Sequence, residues 1–527
     1  MPTINSKNRP YHPFVLIILD GFGIAPSGPG NAIRLAKLSN LNYYFSHYPY
    51  TELKAHGEYV GLFPGEEGNS EAGHINLGAG RIVKQDVVAV SDMIKDGTFF
   101  KNAAFLAAFD YVKKNKSNLH FIGLLTGPNS AHAYPEHLDA LIKMTRQNKL
   151  KQVYLHLFTD GRDSPPFEGY SYLQRLLQKL DPAHEQIATL MGRFYGMDRK
   201  KEWTRTELAF NALVFGSQYH ADHPLKAVED GYGRGESDEY IKPTTIYKNN
   251  KMLPRIKDND AIIFFNARSD RARQLTKAFV QDKFNEQNPG SFRRKRKLNN
   301  LVFVALTDFG PDLPNILTAY PSPDLKNTLA MELADLRQLY IAETDKYGHL
   351  TYFFNGGYAD PVAGEERILI KSPDARSYDS VPNMSAGTIA DIVVKNIQNK
   401  IYDFAAVNFA NPDMLGHTGN LSATIKGLEF MDKCVKKIVL EAVDKNRGYV
   451  VITADHGNAE EMIDIKTGKV DTQHSIFPVP FCIIGPAEPV RKIKLRSNGI
   501  LADVAPTILY LMKRDKPQEM TGKNLII

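Results

Sequence analysis

Short runs that are apolar almost throughout recur along the chain. They are FVLIIL at 14–19, LHFIGLL at 119–125, VYLHLF at 153–158, AIIFF at 261–265, LVFVAL at 301–306, RILI at 367–370, FAAVNF at 404–409 and YVVIT at 449–453. A sheet with one wet face would show alternation. Unbroken apolar runs of four to seven residues predict strands covered on both faces. Helical spacing fills the intervals: between Ala386 and Asn399, Ile389, Ile392, Val393 and Ile397 share one face. Strands alternating with amphipathic helices predict an α/β protein with mostly parallel sheets. No internal repeat or low-complexity linker interrupts the pattern. At about 150 residues per domain, the length allows three or four units or, equally, two large α/β domains.

The positions just past the apolar runs narrow the reading. Leu19 leads into Asp20-Gly21, Phe158 into Thr159-Asp160-Gly161-Arg162-Asp163, and Phe265 into Asn266-Ala267-Arg268. Phe409 leads into Ala410-Asn411-Pro412-Asp413, and Thr453 into Ala454-Asp455-His456-Gly457. One Asp-Gly after a strand is ordinary turn chemistry. Five chemically capable strand ends together predict a site, because open α/β sheets bind ligands at the carboxyl ends of their strands.

Composition changes this picture little. Of 527 residues, 43% are hydrophobic and 24% charged, ordinary for a globular protein. The formal charge of +6 owes five units to one run, Arg293-Arg294-Lys295-Arg296-Lys297, without which the chain stands at +1. A polyanion-binding protein needs a broad basic face, so the run reads as a solvated loop with no assigned role and no nucleic-acid partner. The two cysteines, Cys434 and Cys482, cannot build a disulfide framework, which predicts a reducing compartment. No apolar stretch approaches the roughly 18–20 residues that span a bilayer. The expectation is a cytoplasmic enzyme, monomeric, with a small-molecule substrate and no membrane partner.

Two residue sets carry chemistry. Asp413-x-x-x-His417, Asp455-His456, His474 and Asp20 supply three carboxylates and three imidazoles without thiolate, a donor mix suited to Mn²⁺, Zn²⁺ or a similar ion. Six donors exceed one tetrahedral site and suit two ions with open positions. His12, His47, His220 and His223 lack this context and read as surface or structural residues. Ser70, in Gly65-Glu66-Glu67-Gly68-Asn69-Ser70-Glu71-Ala72-Gly73-His74, is the nucleophile candidate, and a metal would have to activate it. The second set is Arg162-Asp163, Arg193 and Arg199, and Arg268 and Arg271. Converging guanidinium groups bind phosphate or carboxylate through paired N–H donors, which implies a small polyanionic substrate. Asp163 fits a general acid/base, and His132 a binding or proton-shuttling role.

With these residues in view, the sequence resembles the cofactor-independent (2,3-bisphosphoglycerate-independent) phosphoglycerate mutases of the alkaline phosphatase superfamily. The matching stretches run in the family's order over nearly the whole chain: IILDGFG (17–23), GNSEAGH (68–74), TDGRDSPP (159–166), MGRFYGMDR (191–199), FFNARSDRARQ (264–274), IAETDKYGH (341–349), NPDMLGHTG (411–419), TADHGNAE (453–460) and QHSIFPVPF (473–481). The resemblance implies two α/β domains. One is a discontinuous alkaline-phosphatase-like domain with a mostly parallel sheet (1–84 and 318–527), and the other an inserted phosphotransferase domain (85–317). It implies that Asp413, His417 and His474 hold one divalent ion, and Asp20, Ser70, Asp455 and His456 a second. The ions would most often be Mn²⁺, with no 2,3-bisphosphoglycerate required. Ser70 would become phosphoserine during interconversion of 3- and 2-phosphoglycerate, with Asp163 and Lys346 catalytic. His132, Arg162, Asp163, Arg193, Arg199, Arg268, Arg271 and Lys346 would bind substrate. Three departures stand out: Ala72 replaces the family's usual Val, Thr126 to Ala131 depart from the usual pattern before His132, and Gln473-His474-Ser475 replaces Ala-His-Thr. A two-metal phosphatase sharing the donor set, and a polyanion binder using 293–297, are the rival readings.

Overall fold

The computed structural model describes residues 12–527 apart from 129, 311, 314, 465, 466 and 487–489. The chain divides into one unit formed by Met1–Gln85 with Asp324–Ile527 and a second formed by Asp86–Pro323. Strands are numbered along the chain, and β3 to β11 lie in the second unit.

The discontinuous unit is built on β1 (Phe14–Leu19), β2 (Tyr50–Lys54), β12 (Gln338–Glu343), β13 (Glu366–Ile370), β14 (Phe404–Phe409), β15 (Tyr449–Thr453), β16 (Val479–Ile484) and β17 (Gly499–Ile500). They lie in the order β13-β12-β14-β1-β15-β16-β2-β17. β13 through β15 pair in parallel, and β16 is antiparallel to both β15 and β2. β1 sits at the centre, with Leu16 opposite Ala406 on one side and Val451 on the other. All six of its side chains are buried, which is why its sequence is apolar without alternation. The run at 367–370 behaves differently: β13 is an edge strand with Leu369 half exposed, so it is not covered on both faces as its composition predicts. The helix expected from Ala386 spans Ala386–Gln398 and buries Ala386, Ile389, Ala390, Val393 and Ile397.

The inserted unit carries β3 (Leu119–Leu125), β4 (Val153–Thr159), β5 (Glu185–Gly192), β6 (Tyr219–Ala221), β7 (Thr244–Lys248), β8 (Lys251–Met252), β9 (Ala261–Phe264), β10 (Val302–Thr307) and β11 (Leu317–Tyr320). Their order is β11-β10-β9-β3-β4-β5-β7-β6, with β8 paired to β7. From β11 to β5 the pairing is parallel. The unit ends later than the expected 317, because β11 pairs with β10 and belongs to this sheet.

Candidate active site

In the discontinuous unit, three central strands end in carboxylates. Asp20 follows β1, Asp413 lies in the short helix Asn411–Gly416 after β14, and Asp455-His456 follow β15. Two backbone bonds tie the ends together: Asp20 N–H donates to Phe409 O and Asp413 N–H to Asp20 O, both at 3.0 Å. Gly21 makes this approach possible. Its φ is +73°, and a Cβ there would stand 2.6 Å from Asp413 Cβ. Ser70 opens the helix Ser70–Ala79, whose N-cap Asn69 accepts from Ala72 N–H at 2.9 Å. The hydroxyl therefore sits at a helix N-terminus, which favours negative charge.

Ser70 Oγ lies 2.9 Å from His456 Nε2 and 3.3 Å from Asp20 Oδ1, and accepts from Lys346 Nζ at 2.8 Å. Lys346 comes from the helix Thr344–Gly348 after β12. Its ammonium is 2.5 Å from Asp20 Oδ1 and 2.6 Å from Asp413 Oδ2. Burial opposes its charge, but Asp20, Asp413 and Asp455 outweigh burial and hold the pKa well above the lysine range. Asp20 is pushed up, first by burial and then by Asp455, with Lys346 acting against both.

The imidazoles show what this centre lacks. His417 Nδ1 is 2.7 Å from Thr472 O and His474 Nδ1 is 2.8 Å from Gly68 O. A carbonyl can only accept, so both Nδ1 atoms carry hydrogen, and in the neutral rings both Nε2 atoms present lone pairs. Those Nε2 atoms are 3.1 Å apart, and 3.2 and 3.3 Å from Asp413 Oδ1. Three acceptors at that spacing repel unless a proton or a cation lies among them. His456 repeats the arrangement. Its Nδ1 is 3.1 Å from Gly457 O, and its Nε2 faces Asp455 Oδ2 at 3.4 Å and Asp20 Oδ1 at 3.6 Å. Asp455 Oδ2 is buried without a hydrogen-bond partner. Asp20, Asp455 and His456 form one metal-competent trio, and Asp413 and His474 form another with the same His456. The mixed O/N donors fit one or more divalent ions.

The other set gathers in the inserted unit. Arg193 is almost wholly buried, and its Nη1 meets Asp160 and, at 3.0 Å, Asp163 Oδ2. Its Nε and Nη2 are buried with no acceptor. Asp163 also accepts from Ser130 Oγ at 2.6 Å. Burial works against its charge, but Arg193 and Ser130 prevail and hold the carboxyl below its usual range. Arg199 and Arg268 share Asp270, with Arg268 Nε 3.2 Å from its Oδ1. Arg162 reaches Glu239 at 3.8 Å. Burial, then Arg199, Arg193 and Arg162, depress the Arg271 pKa, the signature of cations crowded together. His132 is buried beside them, its pKa pushed down to about 3 by burial and then by Arg193. Its ring is therefore neutral, with Nδ1 lacking a hydrogen-bond partner. Of the eight expected substrate residues, seven thus lie in the inserted unit, while Lys346 stands among the metal-type donors.

Several residues of the site escaped sequence reasoning. Asp160 and Asp270 lie inside the motifs, but nothing in a sequence says that they serve as counterions to Arg193 and to Arg199 and Arg268. Asn458 donates to Asp413 Oδ1 at 3.0 Å. Ser475, one of the departures, bonds Glu460 through its hydroxyl. The four histidines set aside, His12, His47, His220 and His223, are all exposed.

Fold and donor set define a two-unit α/β metalloenzyme, and residues 12–516 match the profile of the metalloenzyme superfamily. Over 519 residues the chain is 45% identical to the 2,3-bisphosphoglycerate-independent phosphoglycerate mutase of Clostridium kluyveri, covering 98% of this chain and 99% of that protein. It is 47% identical to phosphoglycerate mutase 1 of the same type from Methanosarcina acetivorans, covering 98% of each. It aligns with the crystal structure of Leishmania mexicana phosphoglycerate mutase at low cobalt concentration with a TM-score of 0.77 and 29% identity, over 99% of this chain and 98% of that one. The chain belongs to the family of 2,3-bisphosphoglycerate-independent phosphoglycerate mutases.

Proposed function

We propose that this enzyme interconverts 3-phosphoglycerate and 2-phosphoglycerate by passing the phosphoryl group through Ser70. The observation that carries the reading is the setting of Ser70 Oγ, at a helix N-terminus and within 3.3 Å of Lys346 Nζ, His456 Nε2 and Asp20 Oδ1. Asp413, His417 and His474 would hold one divalent cation, and Asp20, Ser70, Asp455 and His456 a second, manganese in our reading. Such cations stabilise a serine oxyanion and neutralise phosphoryl charge.

The Ser70 oxygen forms the bond to phosphorus as the bond from phosphorus to the glycerate oxygen breaks. Lys346, held charged, stabilises the serine oxyanion before attack. In the return step, Asp163, held ionised by Arg193, takes the proton of the glycerate hydroxyl that attacks phosphoserine and gives it to the glycerate oxygen freed in the first step, and Ser70 leaves as the oxyanion it began as. Glycerate must stay bound while the phosphoryl group rests on Ser70, or the enzyme becomes a phosphatase. Arg193 and Arg271, with Arg162, Arg199, Arg268 and the neutral His132, are the groups suited to keep it. No helix among the described residues is long and apolar enough to cross a membrane. Our reading is a monomer working in the cytoplasm.

The test is turnover of 3-phosphoglycerate by metal-stripped protein, with and without Mn²⁺ and without added bisphosphate. Metal-dependent 2-phosphoglycerate formation is expected, and release of inorganic phosphate instead would replace the mutase reading by the phosphatase one. Ser70→Ala should lower turnover about 10⁴-fold or more with thermal unfolding unchanged. Residual activity near wild type would rule out the covalent route.

A further inference from the structure

Two fully buried residues behind the donor set, His74 and Asn408, take no part in the chemistry above. His74 lies on the helix that Ser70 begins, and Asn408 on β14. Asn408 Nδ2 donates to Asp20 Oδ2 at 2.8 Å and lies 3.0 Å from His74 Nε2. His74 Nδ1 lies 2.9 Å from the Ser70 carbonyl and 3.1 Å from Asp455 Oδ2.

These contacts fix every hydrogen. The Asp20 carboxylate requires the amide nitrogen of Asn408 on its side, since the reversed amide would set oxygen against oxygen. The same nitrogen then points its second hydrogen at His74 Nε2, which must be the unprotonated atom of the ring. Independently, the Ser70 carbonyl can only accept, so His74 Nδ1 must carry the hydrogen. Both constraints make Nδ1 the donor of the ring and Nε2 its acceptor. They also explain two unpaired buried atoms. Asn408 Oδ1 has no partner because Asp20 dictates the orientation of the amide. Asp455 Oδ2 makes no hydrogen bond because the His74 hydrogen is directed at the Ser70 carbonyl.

We propose that His74 and Asn408 are positioning residues whose one-way hydrogen-bond chain sets Asp20 and Ser70 and leaves Asp455 Oδ2 open for the cation beside Ser70. The inference rests on the two-cation reading above. Outer partners of this kind set metal affinity through the ligands they hold.

The experiment titrates metal-stripped full-length protein with Mn²⁺, following free Mn²⁺ by electron paramagnetic resonance. Wild type should bind two ions. Asn408→Leu should weaken one binding step by about 10–100-fold and leave the other within about threefold, because Asn408 holds the Asp20 carboxylate while Asp413 meets Asp20 only through the backbone and Lys346. Equal weakening of both steps, or of neither, overturns the inference. Fewer than two ions on wild type overturns the two-cation reading and takes the inference with it. A readout that needs no folded Asn408 variant is the ¹⁵N spectrum of histidine-labelled wild type with diamagnetic Mg²⁺, its His74 signals identified by their loss in His74→Asn. Hydrogen on Nδ1 with Nε2 accepting is expected, and hydrogen on Nε2 overturns the proposal.

Discussion

The two polar centres of this molecule are unsatisfied in opposite senses. In the discontinuous unit, acceptors face acceptors: imidazole lone pairs and carboxylate oxygens converge with one ammonium, Lys346, among them. In the inserted unit, Arg162, Arg193, Arg199 and Arg268 each meet a carboxylate among Asp160, Asp163, Asp270 and Glu239, while two buried N–H donors of Arg193 find no acceptor and Arg271 is crowded by other cations. In the proposed reading, cations complete the first centre and an anion the second. A phosphorylated hydroxy acid together with divalent ions supplies both. Charge totals alone would not have shown this, since each centre mixes both signs. Unsatisfied hydrogen-bonding capacity shows it.

The sharpest way to break this contrast is to remove the one fixed cation of the acceptor-rich centre. Lys346→Met should lower kcat about 10²–10³-fold, as expected when a charge stabilising a developing oxyanion is lost. It should also destabilise the metal-free protein by about 3–5 kcal/mol, because buried carboxylates lose their counter-charge. Mn²⁺ should restore much of that loss. Urea unfolding with and without the ion measures both effects, and an unaffected metal-free stability would mean that the carboxylates are protonated rather than paired.

Glu343 offers a control within the same unit, since it is a buried carboxylate whose burial outweighs the pull of its neighbours. Burial pushes its pKa up from 4.5 to about 7, against Ser372, Ser385 and the Lys346 charge. A group that binds its proton more tightly in the folded state stabilises least where it must ionise. Stability should therefore fall as pH rises from 4.5 through 7, by about 3 kcal/mol at about 1.4 kcal/mol per pH unit. Glu343→Gln should remove that slope and melt higher than wild type at pH 8. Parallel melting curves for both proteins from pH 5 to 8 would show that Glu343 is not raised by burial.

On the anion-seeking side, the spare donors of Arg193 are the feature to test. Arg193→Lys keeps the charge but cannot meet Asp160 and Asp163 and still offer two further N–H groups in a plane. KM for 3-phosphoglycerate should rise about tenfold, the cost of one charge-assisted hydrogen bond, with a smaller change in kcat. An unchanged KM would place the substrate's anionic groups elsewhere.

How much of this was legible in the sequence follows the kind of interaction involved. Buried central strands announce themselves as unbroken apolar runs, because both faces of β1, β3, β4 and β14 are covered. β5, with Gln186 and Thr189 among its residues, and the edge strand β11 lack that signature, and the boundary that the resemblance implies at 317 falls at the start of β11. The metal-type donors and arginines stood out because motif order groups them. Their counterions did not, because an Asp-Arg pair is made by the fold and not by spacing: Asp160 and Arg193 are 33 residues apart. Nor could sequence show which nitrogen of His417 or His474 bears hydrogen, since the backbone carbonyls that decide it come from Thr472 and Gly68.

The basic run 293–297 tests the same contrast at its weakest end, because it uses the same residue types as the anion centre without any unsatisfied donor geometry of that kind. Arg294 donates to the carbonyls of Ala278, Gln281 and Asp282 around the end of the helix Arg273–Val280, Arg296 pairs with Asp258, and Lys297 lies 2.7 Å from Asp282. The Lys295 ammonium stands 6.0 Å over the Phe215 ring. These charges are engaged within their own unit. Arg294→Ala should cost about 1–2 kcal/mol, since half-buried helix-end carbonyls lose a charged donor. Arg296→Ala and Lys297→Ala should each cost less than about 1 kcal/mol, the ordinary worth of an exposed ion pair. None of the three should alter KM for 3-phosphoglycerate. Salt-sensitive binding of the wild-type chain to single-stranded nucleic acid, lost on neutralising the run, would show that clustered charge can recruit an anion here without the buried, directed donors that distinguish Arg193.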